Sequence, residues 1–213
     1  MACTTLIVGS LEALRAVLTD DWLVGLASPL DVVVVPTASA FTGMERVSLE
    51  LAELFEQVDA RVESLMVGDR ASASESHFAN RIAHADLVVL ADGSPLHARA
   101  VWRGTAVGEA IAAASTLVAI GLVATVLGDV MIDPRGGAPM IGLGYRPGIA
   151  VCAPTSDEQT ARTRSLMDDG VPLVVLGARG ILAHDGVEWR VVNDDVVVSR
   201  GNVVAGLDLG HRH

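Results

Sequence analysis

Short runs of branched aliphatic residues, separated by stretches with helical spacing, constrain this chain most. The clearest are Asp31-Val-Val-Val-Val-Pro36, Asp86-Leu-Val-Val-Leu90 and Thr116-Leu-Val-Ala-Ile120, with a further short run at Thr4–Val8. A strand that is apolar on both sides of its pleat needs cover on both faces, and parallel strands between helical layers obtain it. The intervening stretches supply the cover. Residues 11–18 carry helical spacing. Residues 44–58 set Val47, Leu51, Leu54 and Val58 on one stripe, with Glu45, Glu53 and Glu56 elsewhere. The pattern predicts a strand over 61–67, a helix over 74–85 with Phe78, Ile82 and Ala85 on one face, and a long helix over 95–114 broken near Gly104. A strand over 148–152 and a helix over 156–167 follow. The tail then changes to short strands at 171–176, 180–183, 187–192 and 196–198, with a hairpin signal at His184-Asp185-Gly186. The fold class that results is α/β: a three-layer sandwich whose central sheet is mostly parallel, with antiparallel C-terminal hairpins. No linker or repeat interrupts it, so residues 1–213 read as one domain.

Composition removes several function classes. With 51% hydrophobic and 19% charged residues, intrinsic disorder is excluded as the main state, and with 3% aromatics the core must be aliphatic. The chain has no lysine. A Schiff-base cofactor site and a phosphate-binding P-loop lysine are therefore unavailable, and no cofactor is expected. Fifteen arginines against 26 acidic residues give a net charge of -11, which repels nucleic acid, and the few aromatics give bases little to stack on. Cys3 and Cys152 form no CxxC pair and read as small buried hydrophobes. His77, His84 and His97 lack an i, i+4 spacing and His211 and His213 lie at the tail, so no metal site is expected. No signal peptide is read at the N-terminus, which predicts a cytoplasmic protein. Residues 110–128 are uncharged over nearly the length of a membrane span, but a helix end, a turn and a buried strand account for the same residues.

In a sheet of this kind ligands bind beyond the carboxyl ends of the strands. That rule points to Thr37 and Ser39, to Asp92, Gly93 and Ser94, to the turn after Gly121 with Leu122, and to Asp157. Arg135, in Asp133-Pro-Arg-Gly-Gly137, is a candidate for reaching a carboxylate in the cleft, although a surface turn explains it as simply. Ser94 before Pro95, and Thr155 or Ser156 before the helix carrying Asp157, read first as helix caps. Asp92 reads as a turn aspartate, with orientation of a basic ligand group as its functional alternative. Arg99 and Arg103, with Glu109 beyond, read as a solvated helix face.

The order of these segments resembles the cyanophycinase and dipeptidase E family of serine peptidases, which has the class I glutamine amidotransferase-like fold. Val33-Val-Val-Pro-Thr-Ala-Ser39 is similar to that family's second strand and its turn, and Ala91-Asp-Gly-Ser-Pro-Leu96 to the segment holding its glycine-rich turn. Val126-Leu-Gly-Asp-Val-Met131, Arg135-Gly-Gly137 and Gly142-Leu-Gly144 resemble the stretch after its nucleophile, and Val175-Leu-Gly177 with Gly180-Ile-Leu182 its closing hairpin. The likeness runs from about residue 31 to 192.

The departures matter as much. The family's serine sits in a strained strand-to-helix elbow, G-x-S-A-G-A, which falls here on Ala119-Ile-Gly-Leu-Val-Ala124. The nucleophile position is then Gly121. The family's P-H-x-D base motif falls on Pro154-Thr-Ser-Asp157, with Thr155 at the histidine position. Without either member the relay that activates a hydroxyl cannot operate. The resemblance implies a domain that keeps the peptidase fold but not the mechanism: a pseudoenzyme acting as a binding or structural subunit, as a homodimer or paired with an active relative, with a small peptide or amino-acid-like ligand. The alternative is a hydrolase with relocated groups drawn from Ser39, Ser94, Thr125, Thr155, Ser156, Asp92, Asp157, His97 and His184. A strained elbow with free N–H groups would mark a retained oxyanion-type site; a relaxed turn filled by Leu122 would mark a closed one.

Overall fold

The computed structural model describes residues 4–18, 29–153, 156–168, 170–200 and 203–204. Cys3, Thr155, His211 and His213 lie outside the described residues. A central sheet combines parallel strands β1 (Thr4–Val8), β2 (Leu30–Val35), β3 (Ala60–Ser64), β4 (Leu87–Leu90) and β5 (Thr116–Ile120) with the antiparallel β10 (Ile181–His184) and β11 (Trp189–Val191). Their order across the sheet is β11-β10-β1-β5-β4-β2-β3.

Alternation along each apolar strand divides the core. Leu6, Val8, Val32, Val34, Leu87, Val89, Val118 and Ile120 pack on α1 (Leu11–Leu18) and α2 (Met44–Phe55). Ile7, Val33, Val35, Val88, Leu90, Leu117 and Ala119 pack the other way, on α4 (Ser76–Ala83), α5 (Pro95–Trp102) and α6 (Ala106–Ala113), the last three following the short α3 (Arg70–Ala73). The three-layer expectation therefore holds, and for the reason given: both faces of the parallel strands are covered.

Several local readings need correction. The helix expected over 74–85 is present in shorter form as α4, and the short α3 ahead of it, not expected from the pattern, starts where Asp69 accepts a hydrogen bond from the Ser72 amide at 2.8 Å. The break expected near Gly104 is complete: Gly104 has φ +63, and Thr105 caps α6 by accepting the Gly108 amide. A hairpin of β6 (Val130–Ile132) and β7 (Pro139–Ile141) was not foreseen. The strand expected at 148–152, β8 (Ala150–Cys152), joins β9 (Leu173–Leu176), β12 (Val196–Arg200) and β13 (Val203–Val204) in a separate four-stranded sheet rather than the central one. Ile132, Ala150, Cys152 and Leu173 form that sheet's own small apolar cluster. Arg99 and Arg103 are not a free solvated face. They hold the β7 edge to α5, Arg99 Nε donating to the Ile141 carbonyl at 2.7 Å and Arg103 Nη2 to the Gly142 carbonyl at 2.8 Å.

The apolar stretch over 110–128 is the end of α6, then β5, then a 3-10 segment at Gly121–Val126. Among the described residues no helix is long and apolar enough to cross a membrane.

Candidate functional site

A cavity of about 360 Å³ opens beyond the carboxyl ends of the central strands. Ser10 follows β1, Ser39 and Thr42 follow β2, Asp92 and Gly93 follow β4, and Ile120 ends β5; α2 adds Arg46, Val47 and Glu50. The strand-end rule thus located the cavity, but α2's contribution was missed. Its signal is an i, i+4 pair just after the β2 turn: Arg46 Nη1 to Glu50 Oε1, 2.6 Å.

The turn after β4 is stitched to the turn after β2. Ser39 Oγ donates to the Asp92 carbonyl at 2.5 Å, and the Ser94 amide donates to the Ala38 carbonyl at 2.7 Å. Gly93 sits between them at φ +147, where a Cβ would lie 2.2 Å from the Ala38 oxygen, so only glycine fits.

At the end of β5 the chain turns through Gly121, φ +63, directly into the 3-10 segment. The chain thus bends at the elbow position in the left-handed region, which glycine adopts without strain. Its donors are not free. Asp92 Oδ1 accepts the Leu122 amide at 2.8 Å and its neighbour Gly93's amide at 2.7 Å. The same carboxylate fills the space a side chain at 121 would need: a Cβ there would lie 2.4 Å from Asp92 Cγ and 2.5 Å from both its oxygens. Neither of the two outcomes framed for this turn describes it. The bend is an unstrained left-handed glycine turn, and it is Asp92 rather than Leu122 that closes it. The protein wall around the carboxyl raises its pKa, against the lowering effect of the two amides.

The other predicted residues divide clearly. Ser39 and Gly93 line the cavity. Thr37 does not; it is fully buried beneath it, donating to the Val67 carbonyl at 2.7 Å. Ser94 caps α5, accepting the His97 amide at 3.3 Å. Arg135 does not enter the cavity, because Asp133 binds it at 2.9–3.0 Å, and Asp157 stands in the first turn of α7 (Asp157–Leu166), capped by Ser156. Both belong to the region where α7 meets the 133–137 loop through Gln159 and Thr163. Thr125 bonds the Leu122 carbonyl at 2.8 Å.

The described histidines are occupied elsewhere. His97 Nε2 lies 2.9 Å from the Gly68 carbonyl, with Phe41 edge-on to its ring. His184 pairs in register with Thr5, near the start of β1, so it lies at the opposite end of the sheet from the cavity. Among the described residues no imidazole nitrogen is hydrogen-bonded to a hydroxyl or a thiol. Burial pushes the Cys152 thiol up to about 11, which leaves it protonated near neutrality. Among the described residues no three His, Cys, Asp or Glu side chains group to hold a metal ion.

The whole architecture has counterparts among solved structures. A peptidase from an acI-B1 actinobacterium superimposes with a TM-score of 0.77 at 18% identity, over 99% of this chain and 96% of that one. The fold is shared with peptidases. A Listeria monocytogenes EGD-e protein named for peptidase E matches with a TM-score of 0.65 at 13% identity, over 94% of this chain and 99% of its own. No protein-family model and no curated protein matches by sequence.

Proposed function

We propose that this chain is a cyanophycinase/dipeptidase E-like domain, on a class I glutamine amidotransferase-like scaffold, that has lost serine peptidase chemistry and works by binding. The single observation that carries this reading is the Asp92 carboxylate. It accepts the elbow amide of Leu122 and the Gly93 amide, and it occupies the volume a nucleophile at 121 would require. An oxyanion forming at such an elbow would need those same donors. Gly121 supplies no hydroxyl, and Thr155 stands where the resemblance places the base. The relocated-group alternative gains no support, since among the described residues no histidine lines the cavity. The reading extends to a cytoplasmic single domain over 1–213 that pairs with itself or with an active relative and takes a peptide or amino-acid-like ligand.

Pure protein incubated with Asp-X dipeptides and an Asp-Arg polymer is expected to release product at the buffer rate, and a serine-reactive phosphonate to label nothing. Turnover that disappears on changing one side chain in the cavity would refute the reading.

The steric claim has a separate check. Gly121→Ser is expected to destabilise by about 2 kcal/mol or more, through about 1 kcal/mol for a left-handed Ser and the loss of hydrogen bonds to an evicted carboxylate. In an Asp92→Gly background the same change should cost only about 1 kcal/mol, because the competitor is gone. Urea unfolding of the four proteins measures the coupling; strictly additive costs would mean that position 121 and Asp92 do not compete.

A further inference from the structure

We infer that the cavity beside the elbow recognises a small organic cation, a protonated amine or guanidine on a short alkyl chain, with Asp92 as its charged anchor. The inference rests on the binding reading above and names the ligand class of the same site. Where a hydrolytic elbow would collect developing negative charge, this one already holds a fixed negative charge. Asp92 Oδ1 is saturated by the Leu122 and Gly93 amides, which fix the carboxylate's orientation. Among the described residues its Oδ2 has no hydrogen-bond partner. The carboxylate is thus a pre-oriented acceptor at the edge of a cavity of about 360 Å³, within the range of small-molecule sites.

The rest of the lining agrees in sign. Arg46 is the cation among the lining residues, and it is engaged by Glu50 at 2.6 Å, so two carboxylates stand against one guanidinium. Leu11, Val47 and Ile120 give the wall an apolar stretch for an alkyl chain. A bound anion would have to evict Asp92 to reach the two amides and would then share the cavity with it. A cation needs no rearrangement and gains a charge-assisted hydrogen bond to Oδ2.

The test uses the full chain, ¹⁵N-labelled, titrated with n-butylamine, n-butylguanidine and sodium butyrate, reading the backbone amide signals of Gly93 and Leu122. The two cations should shift these signals saturably and butyrate should not. Asp92→Asn retains a carbonyl oxygen for both amides but replaces Oδ2 with an N–H₂ donor. In that variant, with folding verified by its unfolding curve, cation affinity should fall by about tenfold or more. Should Asp92→Asn fail to fold, the comparison of cations with butyrate on the unaltered chain still decides. Saturable binding of butyrate alone, binding of neither charge type at tens of millimolar, or undiminished cation binding by Asp92→Asn would each overturn the inference. Those outcomes leave the loss of hydrolysis standing, since that reading fails only on turnover.

Discussion

Trp102→Ala is expected to cost about 3–5 kcal/mol of unfolding free energy. The indole is fully buried at the end of α5, within the cluster that joins α4, α5 and α6 to the central sheet. It has a polar task as well. Its Nε1–H donates to Thr37 Oγ1 at 3.2 Å, and that hydroxyl donates to the Val67 carbonyl at 2.7 Å. Truncation therefore leaves a cavity and removes one of the two partners of Thr37 Oγ1 inside the core. Trp102→Phe keeps most of the packing and should cost only about 1–2 kcal/mol. Urea midpoints for both variants check the ranking; near-equal losses would mean that packing volume at 102 contributes little.

Arg146→Ala is expected to lose about 3 kcal/mol or more. This arginine is almost wholly buried, and its guanidinium serves groups from distant parts of the chain. Nε donates to Thr5 Oγ1 at 2.6 Å, Nη1 to the Ala112 carbonyl at 2.9 Å, and Nη2 to the Ala114 carbonyl at 3.0 Å. Ala112 and Ala114 bracket the end of α6, where carbonyls lack intrahelical partners and the helix dipole favours a cation. Removing the side chain leaves buried acceptors unsatisfied, at about 1–3 kcal/mol for each group. Arg146→Lys should recover little, because a point ammonium cannot reproduce the planar fork. Thermal unfolding is the readout: a fall in Tm of about 6–12 °C fits a chain of this size, and a fall below 2 °C would contradict the assignment.

What could be read from the residues and what could not follows from the range of the interactions. Val32–Val35 and Leu87–Leu90 declare themselves locally, since a run apolar on both sides of the pleat has few places to go. The place of the cavity followed too, because it depends only on strand direction. The hairpin of β6 and β7 did not, since its two strands are only three residues each, and Arg99 and Arg103 hold its edge to α5 from far along the chain. The second sheet was missed because periodicity identifies β8 as a strand without saying which neighbour it will find. Asp92 is the instructive case. A turn aspartate between Ala91 and Gly93 is unremarkable by composition; its role comes from an amide 30 residues away. Arg46 and Glu50 were not singled out in the sequence, because only the packing of α2 brings them to the strand ends.

The overlap between the Asp92 carboxylate and the empty Cβ position of Gly121 makes the two positions interdependent. A side chain at 121 and the carboxylate in its observed place exclude each other, so an engineer who wants a hydroxyl at the bend has to redesign both residues together.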